Sequence, residues 1–255
     1  MLRGMTSPFR LDNRRALVTG GASGIGESTV RVLAGAGAEV IIADIDRQRA
    51  RSLAEELGPR VTTAVVDVTR EEEVQKLFGD LAALDILVNN AGIGLVGSLE
   101  ETQFADWRRL FGVNVDSVFL CSKYALPLLL ASGRGSIVNI GSVAGLGGVK
   151  RRFAYCATKG AVIALSRQLA CDYAGRLRVN CICPGTVDTP FVEGYLEKFH
   201  SHEKEKVRAE LHQRQPIGRM GRPAEIAYMV LYVCSDQAEF VTGSILTIDG
   251  GWTSG

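Results

Sequence analysis

The stretch YCATK, residues 155–159, places the phenol of Tyr155 four residues before the ammonium of Lys159. If the segment is helical, side chains four apart share one face, so a permanent positive charge lies within reach of the hydroxyl. Lowering a phenol pKa from about 10 to about 7 takes about 4 kcal/mol, which a cation about 4 Å away can supply at an effective dielectric near 20. The spacing therefore suggests a tyrosine able to accept a proton. A packed tyrosine and a solvated lysine on an ordinary amphipathic helix would show the same spacing.

A glycine-rich turn near the start of the chain has the features of a phosphate site. The sequence TGGASGIG, residues 19–26, follows an apolar run and leads into a helical pattern. Gly20, Gly24 and Gly26 allow a tight turn, close approach of the backbone to a diphosphate, and packing of the helix on the sheet. The spacing G-x-x-x-G-x-G differs from the common dinucleotide fingerprint, but the flanking strand and helix favour phosphate binding at a helix N-terminus.

A carboxylate ends the second apolar run, EVIIAD, at Asp44. At a strand end beside a glycine turn, such a group accepts hydrogen bonds from the adenosine ribose diol and repels a 2′-phosphate. Asp44 therefore predicts NAD rather than NADP. Arg47 is close in sequence, and its guanidinium could partly accommodate a 2′-phosphate.

The third and fourth apolar runs also end in polar residues. Asp67 and Val68 end the third run, where a carboxylate could meet the adenine amino group, and NNAG, residues 89–92, ends the fourth. Open α/β sheets bind ligands at the carboxyl ends of their strands. These residues are therefore expected to meet the glycine turn and Asp44 at one edge of a sheet.

Seven apolar runs alternate with segments of helical spacing. The runs are RALVTG, EVIIAD, VTTAVVD, DILVNN, GSIVNI, RVNCICPG and SILTIDGG, and the helical segments are 24–36, 46–57, 70–82, 102–131, 154–174 and 223–234. This alternation predicts an α/β fold with a doubly wound, seven-stranded parallel sheet. Because no linker divides the chain, we expect one domain over residues 13–255, preceded by an arm over residues 1–12.

Composition excludes several classes of partner. The 255 residues carry a formal net charge of +1, which gives no bulk field for nucleic acid or an anionic membrane. The first residues lack the apolar core of a secretory signal, and no uninterrupted apolar run reaches the length of a membrane span, which predicts a cytoplasmic protein. The six cysteines lack CxxC spacing, so we expect reduced thiols.

The charged segment 188–220 is too long for an ordinary connection between a strand and a helix. Long insertions at the carboxyl ends of parallel strands often border ligands, so we predict a substrate lid here. A pair of solvated surface helices is the alternative. His200, His202 and His212 all fall in this segment, but residues two apart on a helix diverge, and we expect no metal site.

Taken together, the motifs resemble those of the short-chain dehydrogenase/reductase family. The order and spacing of the glycine turn, Asp44, Asp67, NNAG, Asn114, Ser142, YCATK and PGTVDTP match that family over residues 14–252. The resemblance implies a Rossmann-type fold, a nicotinamide cofactor and a homotetramer. It also implies the catalytic set Asn114, Ser142, Tyr155 and Lys159.

Each member of that set has an implied role. Tyr155 exchanges the alcohol proton, and Ser142 holds the substrate oxygen, although a strand-end serine also suits a plain turn. Lys159 binds the nicotinamide ribose, and Asn114 supports a water chain from Lys159 unless it merely bonds helix backbone. The implied cofactor contacts are Gly20, Ser23, Gly24, Ile25, Gly26, Asp44, Asp67, Val68, Asn90, Ala91, Gly92, Tyr155, Lys159, Pro184, Gly185, Val187 and Thr189.

Within the family, RVNCICPGTVDTP and VTGSILTIDGGW resemble the branch of cytosolic 3-hydroxybutyrate and 2-keto-3-deoxy sugar acid dehydrogenases. Their substrates are anionic, so Arg152, three residues before Tyr155, could pair with a substrate carboxylate or belong to a solvated basic loop. Tyr195 stands where some of the hydroxybutyrate branch uses a second arginine. Tyr195 is therefore predicted as a substrate contact, and a sugar acid is favoured over 3-hydroxybutyrate.

Two other functions compete with an NAD-dependent hydroxy acid dehydrogenase. An NADPH-dependent 3-oxoacyl thioester reductase needs a basic residue in the glycine turn or after the second strand, where Ser23 and Ile45 stand. A non-catalytic NAD(H)-binding redox sensor would not need the intact set of four catalytic residues.

Overall fold

Apolar, β-branched runs form the strands of one parallel sheet in the computed structural model, which describes residues 9–254. Both faces of such a sheet are covered by helices, so its strands read as nearly continuous apolar sequence. The strands lie in the order β3-β2-β1-β4-β5-β6-β7, which confirms the predicted doubly wound, seven-stranded sheet. They are β1 Arg15–Thr19, β2 Glu39–Asp44, β3 Val61–Val65, β4 Ile86–Asn89, β5 Gly135–Ile140, β6 Leu177–Pro184 and β7 Ile245–Ile248.

The helices begin and end close to the predicted positions. They are α1 Gly24–Gly35, α2 Arg47–Leu57, α3 Glu71–Gly79, α4 Phe104–Phe111, α5 Ser117–Ala131, α6 Phe153–Asp172, α7 Pro190–His200, α8 Lys204–Gln213 and α9 Pro223–Cys234. The predicted helix 102–131 differs, because a π-helical turn at Gly112–Asp116 separates α4 from α5. The run from Phe104 to Ala131 is long and apolar enough to span a membrane, but α5 packs on β4 and β5, as in the core of a globular domain.

Two apolar cores lie on opposite faces of the sheet. Adjacent strand residues point to opposite faces, so Val18 joins the core under α1 and α9, whereas Leu17 joins the core under α3 and α5. Cys181 and Cys183 point to the same face of β6, with their sulfurs 3.8 Å apart. All six cysteines of the chain are free thiols.

The packed domain begins earlier than predicted. Leu11 is only 1% exposed and belongs to the core beside α1, and its N–H donates to the Ala36 carbonyl at 2.9 Å. The boundary at residue 13 is therefore too late, because Leu11 fills the space at the end of α1. Residues 1–8 of the predicted arm lie outside the described residues.

The segment 188–220 folds into α7 and α8, which share a small apolar core of their own. Its buried members are Val192, Leu196, Val207, Leu211 and Met220. Ion pairs from Glu193 to Lys204 and Arg208 also join the two helices. The segment is thus a compact helical unit that follows β6.

Candidate active site

A cavity of about 910 Å³ runs along the carboxyl edge of the sheet. This volume suits a large organic ligand. Most residues predicted to contact cofactor or substrate line it: Gly20, Ser23, Gly24, Ile25, Asp44, Asp67, Val68, Asn90, Ala91, Gly92, Ser142, Tyr155, Lys159, Pro184, Gly185, Val187 and Thr189. Gly26, Asn114, Arg152 and Tyr195 stand outside this lining, and their contacts show why.

The glycine turn requires the absence of side chains where it folds back on itself. Gly20 has a φ of +61°, and a Cβ added at Gly26 would lie 2.0 Å from the Gly20 carbonyl oxygen. Asn90 donates from Nδ2 to the carbonyls of Thr19 and Gly20, at 2.9 Å each. Gly26 therefore lies behind the turn, where it allows α1 to begin against the diphosphate position.

Thr19 is a member of this turn that sequence reasoning missed. Its hydroxyl oxygen accepts from the N–H groups of Asn90 and Ala91, at 3.0 and 3.1 Å. The last residue of β1 thus fixes the loop after β4. A threonine at the end of a buried strand also suits plain strand propensity, so the sequence carries no separate signal for this contact.

Asp44 lies at the end of β2 and reaches back to the glycine turn. Its two carboxylate oxygens accept from the backbone N–H of Ala22 and of Asp46, each at 2.9 Å. Each oxygen keeps a lone pair for a ribose hydroxyl. Asp67 also lines the cavity, but its Oδ1 accepts from the backbone and hydroxyl of Thr69, which leaves Oδ2 for an adenine amino group.

Tyr155 and Lys159 lie one turn apart on α6, and their side chains share a face as predicted. The Lys159 ammonium is 5.8 Å from the centroid of the Tyr155 ring. Lys159 is only 6% exposed, and its Nζ donates to the carbonyl of Ile140 at 2.9 Å. A buried ammonium with one protein acceptor can donate further hydrogen bonds into the cavity, because it carries three protons.

Ser142 follows β5 and begins a 3₁₀ turn, Val143–Gly145. Its Oγ accepts from the N–H of Ala144 at 3.1 Å, which leaves the hydroxyl proton for a ligand in the cavity. A Cβ at Gly145 would lie 2.6 Å from the carbonyl carbon of Lys159, so this turn packs directly on the backbone of α6. That close approach fixes the turn that carries Ser142 against α6, and Ser142 and Tyr155 line the same cavity.

Asn114 lies in the π-helical turn and is 1% exposed. Its Oδ1 accepts from the N–H of Ile93 at 2.8 Å, and its Nδ2 donates to the Ile93 carbonyl at 3.0 Å and to Thr158 Oγ1 at 3.2 Å. Asn114 thus bonds the loop after β4 and α6, and none of these contacts is to its own helix. Such π turns often mark functional sites.

The loop after β6 completes the wall of the cavity beyond Lys159. A Cβ at Gly185 would lie 2.8 Å from the Cα of Asp249, so the loop passes close to the end of β7. Val187 is buried, and its carbonyl accepts from the Thr189 hydroxyl at 3.2 Å. These contacts fix the backbone that leads into α7.

Phe191, at the start of α7, was not predicted, but it also lines the cavity. Its ring centroid is 6.4 Å from that of Tyr155. A Cβ at Gly94 would lie 2.5 Å from Phe191 Cζ, so the ring rests on the loop after β4. Phe191 therefore links the segment 188–220 to the opposite wall beside Tyr155.

Arg152 precedes α6 and is half-buried. Its Nη1 donates to the Leu95 carbonyl at 3.3 Å, and its Cζ lies 4.7 Å from the centroid of the Tyr195 ring. Among residues 9–254, no carboxylate lies within ion-pair distance of Arg152, whereas its neighbour Arg151 pairs with Glu101 at 2.8 Å. Of the three basic residues KRR, Lys150 and Arg151 are thus exposed, whereas the Arg152 guanidinium is held against the protein.

Burial lowers the pKa of the Arg152 guanidinium, and the nearby Tyr195 and Tyr155 oppose that shift. The charge of Arg214, just after α8, acts in the same direction as burial. Sequence reasoning missed Arg214 because it lies 62 residues after Arg152. Among residues 9–254, Arg152 thus has a second cation, Arg214, but no carboxylate as an electrostatic neighbour.

The arrangement fits a nicotinamide dinucleotide and an alcohol. The cradle at Gly20 and Gly26 suits a diphosphate, and Asp44 suits a ribose diol. At the other end, Ser142 and Tyr155 present hydroxyl groups to the cavity beside a buried cation. Such an arrangement suits proton exchange next to a nicotinamide cofactor.

Comparison with known proteins agrees with this geometry. A family profile described as Enoyl-(Acyl carrier protein) reductase matches residues 20–253. The chain is 41% identical over 251 residues to 2-keto-3-deoxy-L-fuconate dehydrogenase of Xanthomonas campestris pv. campestris, covering 98% of this chain and 83% of the relative. It is 38% identical over 252 residues to meso-2,3-butanediol dehydrogenase of Serratia marcescens, covering 96% and 97%.

A solved structure, the crystal structure of gox2181, has a TM-score of 0.91 and 34% sequence identity, covering 97% of this chain and 98% of that one. With the profile and the relatives, it confirms the resemblance read from the motifs: this chain belongs to the short-chain dehydrogenase/reductase family and is an oxidoreductase acting on CH–OH groups.

Proposed function

We propose that this protein is an NAD-dependent dehydrogenase that interconverts the secondary alcohol of an anionic hydroxy acid or sugar acid with the matching ketone. One relative is named for a sugar acid and the other for a neutral diol, so similarity does not choose between them. The observation that carries the proposal is the half-buried Arg152, which lies close to Tyr155 and has no acidic partner among the described residues. A 2-keto-3-deoxy sugar acid is the substrate class we favour.

The residues of the site divide the work of proton transfer. Bound nicotinamide supplies the acceptor or donor of hydride. The Ser142 hydroxyl holds the substrate oxygen, and Tyr155 Oη takes the alcohol proton during oxidation and returns it during reduction. The Lys159 ammonium stabilises the phenolate that forms and binds the nicotinamide ribose. Asn114 fixes the loop after β4 against α6, from where it can support a water chain to Lys159.

The segment 188–220 is proposed as the lid over this site. Phe191 contacts the opposite wall at Gly94 and lies beside Tyr155, so α7 lies over the substrate end of the cavity. Exclusion of water there strengthens the electrostatic effect of Lys159.

The choice of NAD is attributed to Asp44. We expect Asp44→Asn to lower kcat/KM for NAD⁺ by about 10- to 100-fold, because hydrogen bonds to a charged group contribute about 1.5–3 kcal/mol. Loss of the charge should also raise activity with NADP⁺. Initial rates with both cofactors measure this change.

Asp46→Asn is the matched control for Asp44→Asn. Asp46 caps α2 through the N–H of Arg49 and should leave cofactor preference unchanged. An unchanged ratio of NAD⁺ to NADP⁺ activity in Asp44→Asn would contradict the assignment of the ribose contact.

The pairing of Arg152 with a carboxylate gives a second expected result. Arg152→Ala should lower kcat/KM for an acid substrate by about 10- to 100-fold, because a bidentate, charge-assisted contact is lost. The primary amide of the same acid has no charge, so kcat/KM for the amide should change by less than about threefold. The comparison requires KM and kcat for both compounds in each variant.

Arg151→Ala is the control for Arg152→Ala, because Arg151 pairs with Glu101. Equal losses for acid and amide in Arg152→Ala would reject carboxylate pairing.

A substrate panel tests the function as a whole. It contains 2-keto-3-deoxy-L-fuconate, 3-hydroxybutyrate, the primary amide of each, and meso-2,3-butanediol, with NAD⁺ and NADP⁺. Fastest turnover of an acid with NAD⁺ supports the proposal, and fastest turnover of the diol overturns the assignment of an anionic substrate. Binding of NADH without turnover of any compound would favour a redox sensor.

The rival thioester reductase would need a cation for the 2′-phosphate of NADPH. In the structure, Ile45 is 72% exposed after β2, and Ser23 lines the glycine turn. Neither side chain carries the positive charge that a 2′-phosphate needs, which supports NAD.

We further propose that the chain acts in the cytoplasm as a homotetramer. Large apolar side chains are exposed on two separate parts of the surface: Phe104, Phe119 and Phe153 on α4, α5 and α6, and Tyr228 and Phe240 on and after α9. Apolar surface of this kind marks protein contacts. Sedimentation equilibrium should give four times the mass of one chain, and the mass of a single chain would overturn this assembly.

A further inference from the structure

The guanidinium of Arg152 lies where the catalytic helix, the loop after β4 and the proposed lid meet. Its edge donates one hydrogen bond, to Leu95, and its Cζ lies 4.7 Å from the ring centroid of Tyr195 on α7. A cation over an aromatic ring is attracted by the ring's negative face. Since no carboxylate pairs with Arg152 among the described residues, Tyr195 is its main electrostatic partner within the chain.

Tyr195 is itself held in place by the end of its own helix. Its hydroxyl is 2.8 Å from Nε2 of His200, and the two rings meet edge to face with centroids 5.0 Å apart. The other ring nitrogen of His200, Nδ1, lies 3.3 Å from Oε1 of Glu203. The ring that carries Arg152 is therefore fixed by the turn between α7 and α8.

The cation–π contact with Tyr195 leaves N–H groups of the Arg152 guanidinium free to bind an anion. An aromatic ring contacts the flat face of a guanidinium, whereas a carboxylate accepts from the N–H groups along its edge. Burial, which lowers the pKa of Arg152, also removes the water that would otherwise solvate this edge. A carboxylate could thus bind Arg152 without disturbing Tyr195.

We propose that Tyr195 and His200 are positioning residues, in which the Tyr195 ring orients the Arg152 guanidinium for a substrate carboxylate and His200 holds the Tyr195 hydroxyl. This inference rests on the proposed function. Because Tyr195 and His200 belong to α7, the preference for an acid substrate over its amide depends partly on the lid. A substrate anion held on Arg152 also stabilises the contact between the lid and the catalytic helix.

The test compares four variants of the full chain, Tyr195→Leu, His200→Ala, Arg152→Ala and the double variant Arg152→Ala/Tyr195→Leu. The probes are the fastest acid of the panel above and its primary amide, with NAD⁺. His202→Ala is the matched control, because His202 is an exposed histidine two residues beyond His200. Circular dichroism and NADH fluorescence establish that each variant is folded and binds cofactor.

Tyr195→Leu and His200→Ala should each lower kcat/KM for the acid by about 3- to 30-fold, the range expected for a lost cation–π contact, mainly through KM. In both variants, kcat/KM for the amide should change by less than about twofold, and His202→Ala should have wild-type kinetics with both compounds. In the Arg152→Ala background, Tyr195→Leu should have no further effect on the acid, because its target is already gone.

Three results would overturn the inference. Equal losses of kcat/KM for acid and amide in Tyr195→Leu or His200→Ala would show a merely structural role. If the loss of kcat/KM in the double variant equals the product of the Tyr195→Leu and Arg152→Ala losses, the two residues act independently. Either result leaves the proposed function intact if Arg152→Ala alone discriminates acid from amide. If Arg152→Ala shows no such discrimination, the anionic substrate and the positioning role fall together.

Discussion

Tyr155→Phe should abolish turnover while the enzyme still binds its cofactor. The phenylalanine ring keeps the packing beside Phe191 but has no Oη to exchange the alcohol proton. General acid–base groups contribute about 10²- to 10⁴-fold to rate, so we expect kcat to fall by at least about 100-fold. The NADH dissociation constant should change by less than about threefold, because Lys159 and the glycine turn are untouched. Initial rates and NADH fluorescence titration measure the two quantities.

Tyr173→Phe is the control for this prediction. Tyr173 follows the other end of α6, away from the cavity lining, and its substitution should leave kcat unchanged. If Tyr155→Phe keeps more than about a tenth of wild-type kcat, another group transfers the proton and the assignment of Tyr155 is wrong.

Gly26→Ala should remove cofactor binding through a steric clash alone. The added Cβ would lie 2.0 Å from the carbonyl oxygen of Gly20 and 2.5 Å from Nδ2 of Asn90, so the turn must open. Overpacking of this kind costs about 1–3 kcal/mol, and the diphosphate cradle is displaced with it. We expect the dissociation constant for NADH to rise by at least about 100-fold, and the apparent Tm to fall by about 2–10 °C.

The matched control is Gly35→Ala, in the last turn of the same helix. A Cβ there has no atom within 4 Å, and alanine stabilises a helix relative to glycine by about 0.5–1 kcal/mol. Gly35→Ala should therefore bind NADH normally, with an equal or higher Tm. Normal NADH binding by Gly26→Ala would mean that the turn is not the diphosphate site.

The elements that position the site are readable from sequence because their signals are local. A buried parallel strand needs only a short β-branched run, and α6 needs only its own periodicity to place Tyr155 and Lys159 on one face. The glycine turn is equally local, since its constraint lies between Gly20 and Gly26. Asp44 follows from the fold, because it ends the strand beside β1.

The remaining features depend on contacts between distant residues. The π-helical turn at Gly112–Asp116 lies inside an unbroken apolar pattern. Within this turn, Asn114 bonds the backbone of Ile93, which is 21 residues away in the sequence. Leu11 looks like part of a tail until α1 provides the surface that buries it. No periodicity signals either contact.

The surroundings of the cavity beside Tyr155 were the least predictable part of the site. Arg152 and Tyr195 were each expected to touch substrate, but their cation–π contact depends on the placement of α7 near the start of α6. His200 was considered only as a metal ligand, whereas it bonds Tyr195 and Glu203. Phe191 and Gly94 meet across 97 residues. The segment 188–220 is mostly polar, so its sequence pattern does not indicate which few side chains face inward.

In the proposed reaction, hydride passes between an alcohol and NAD in this cleft while Tyr155 transfers the proton. The most direct test of this reaction is to incubate the protein with NAD⁺ and an acid of the substrate panel that is deuterated at its carbinol carbon. The mass of the NADH formed is then measured by mass spectrometry. The proposal predicts NADH heavier by one deuterium, and almost none in Tyr155→Phe. Unlabelled NADH from the labelled acid, or labelled product with NADP⁺ alone, would contradict it.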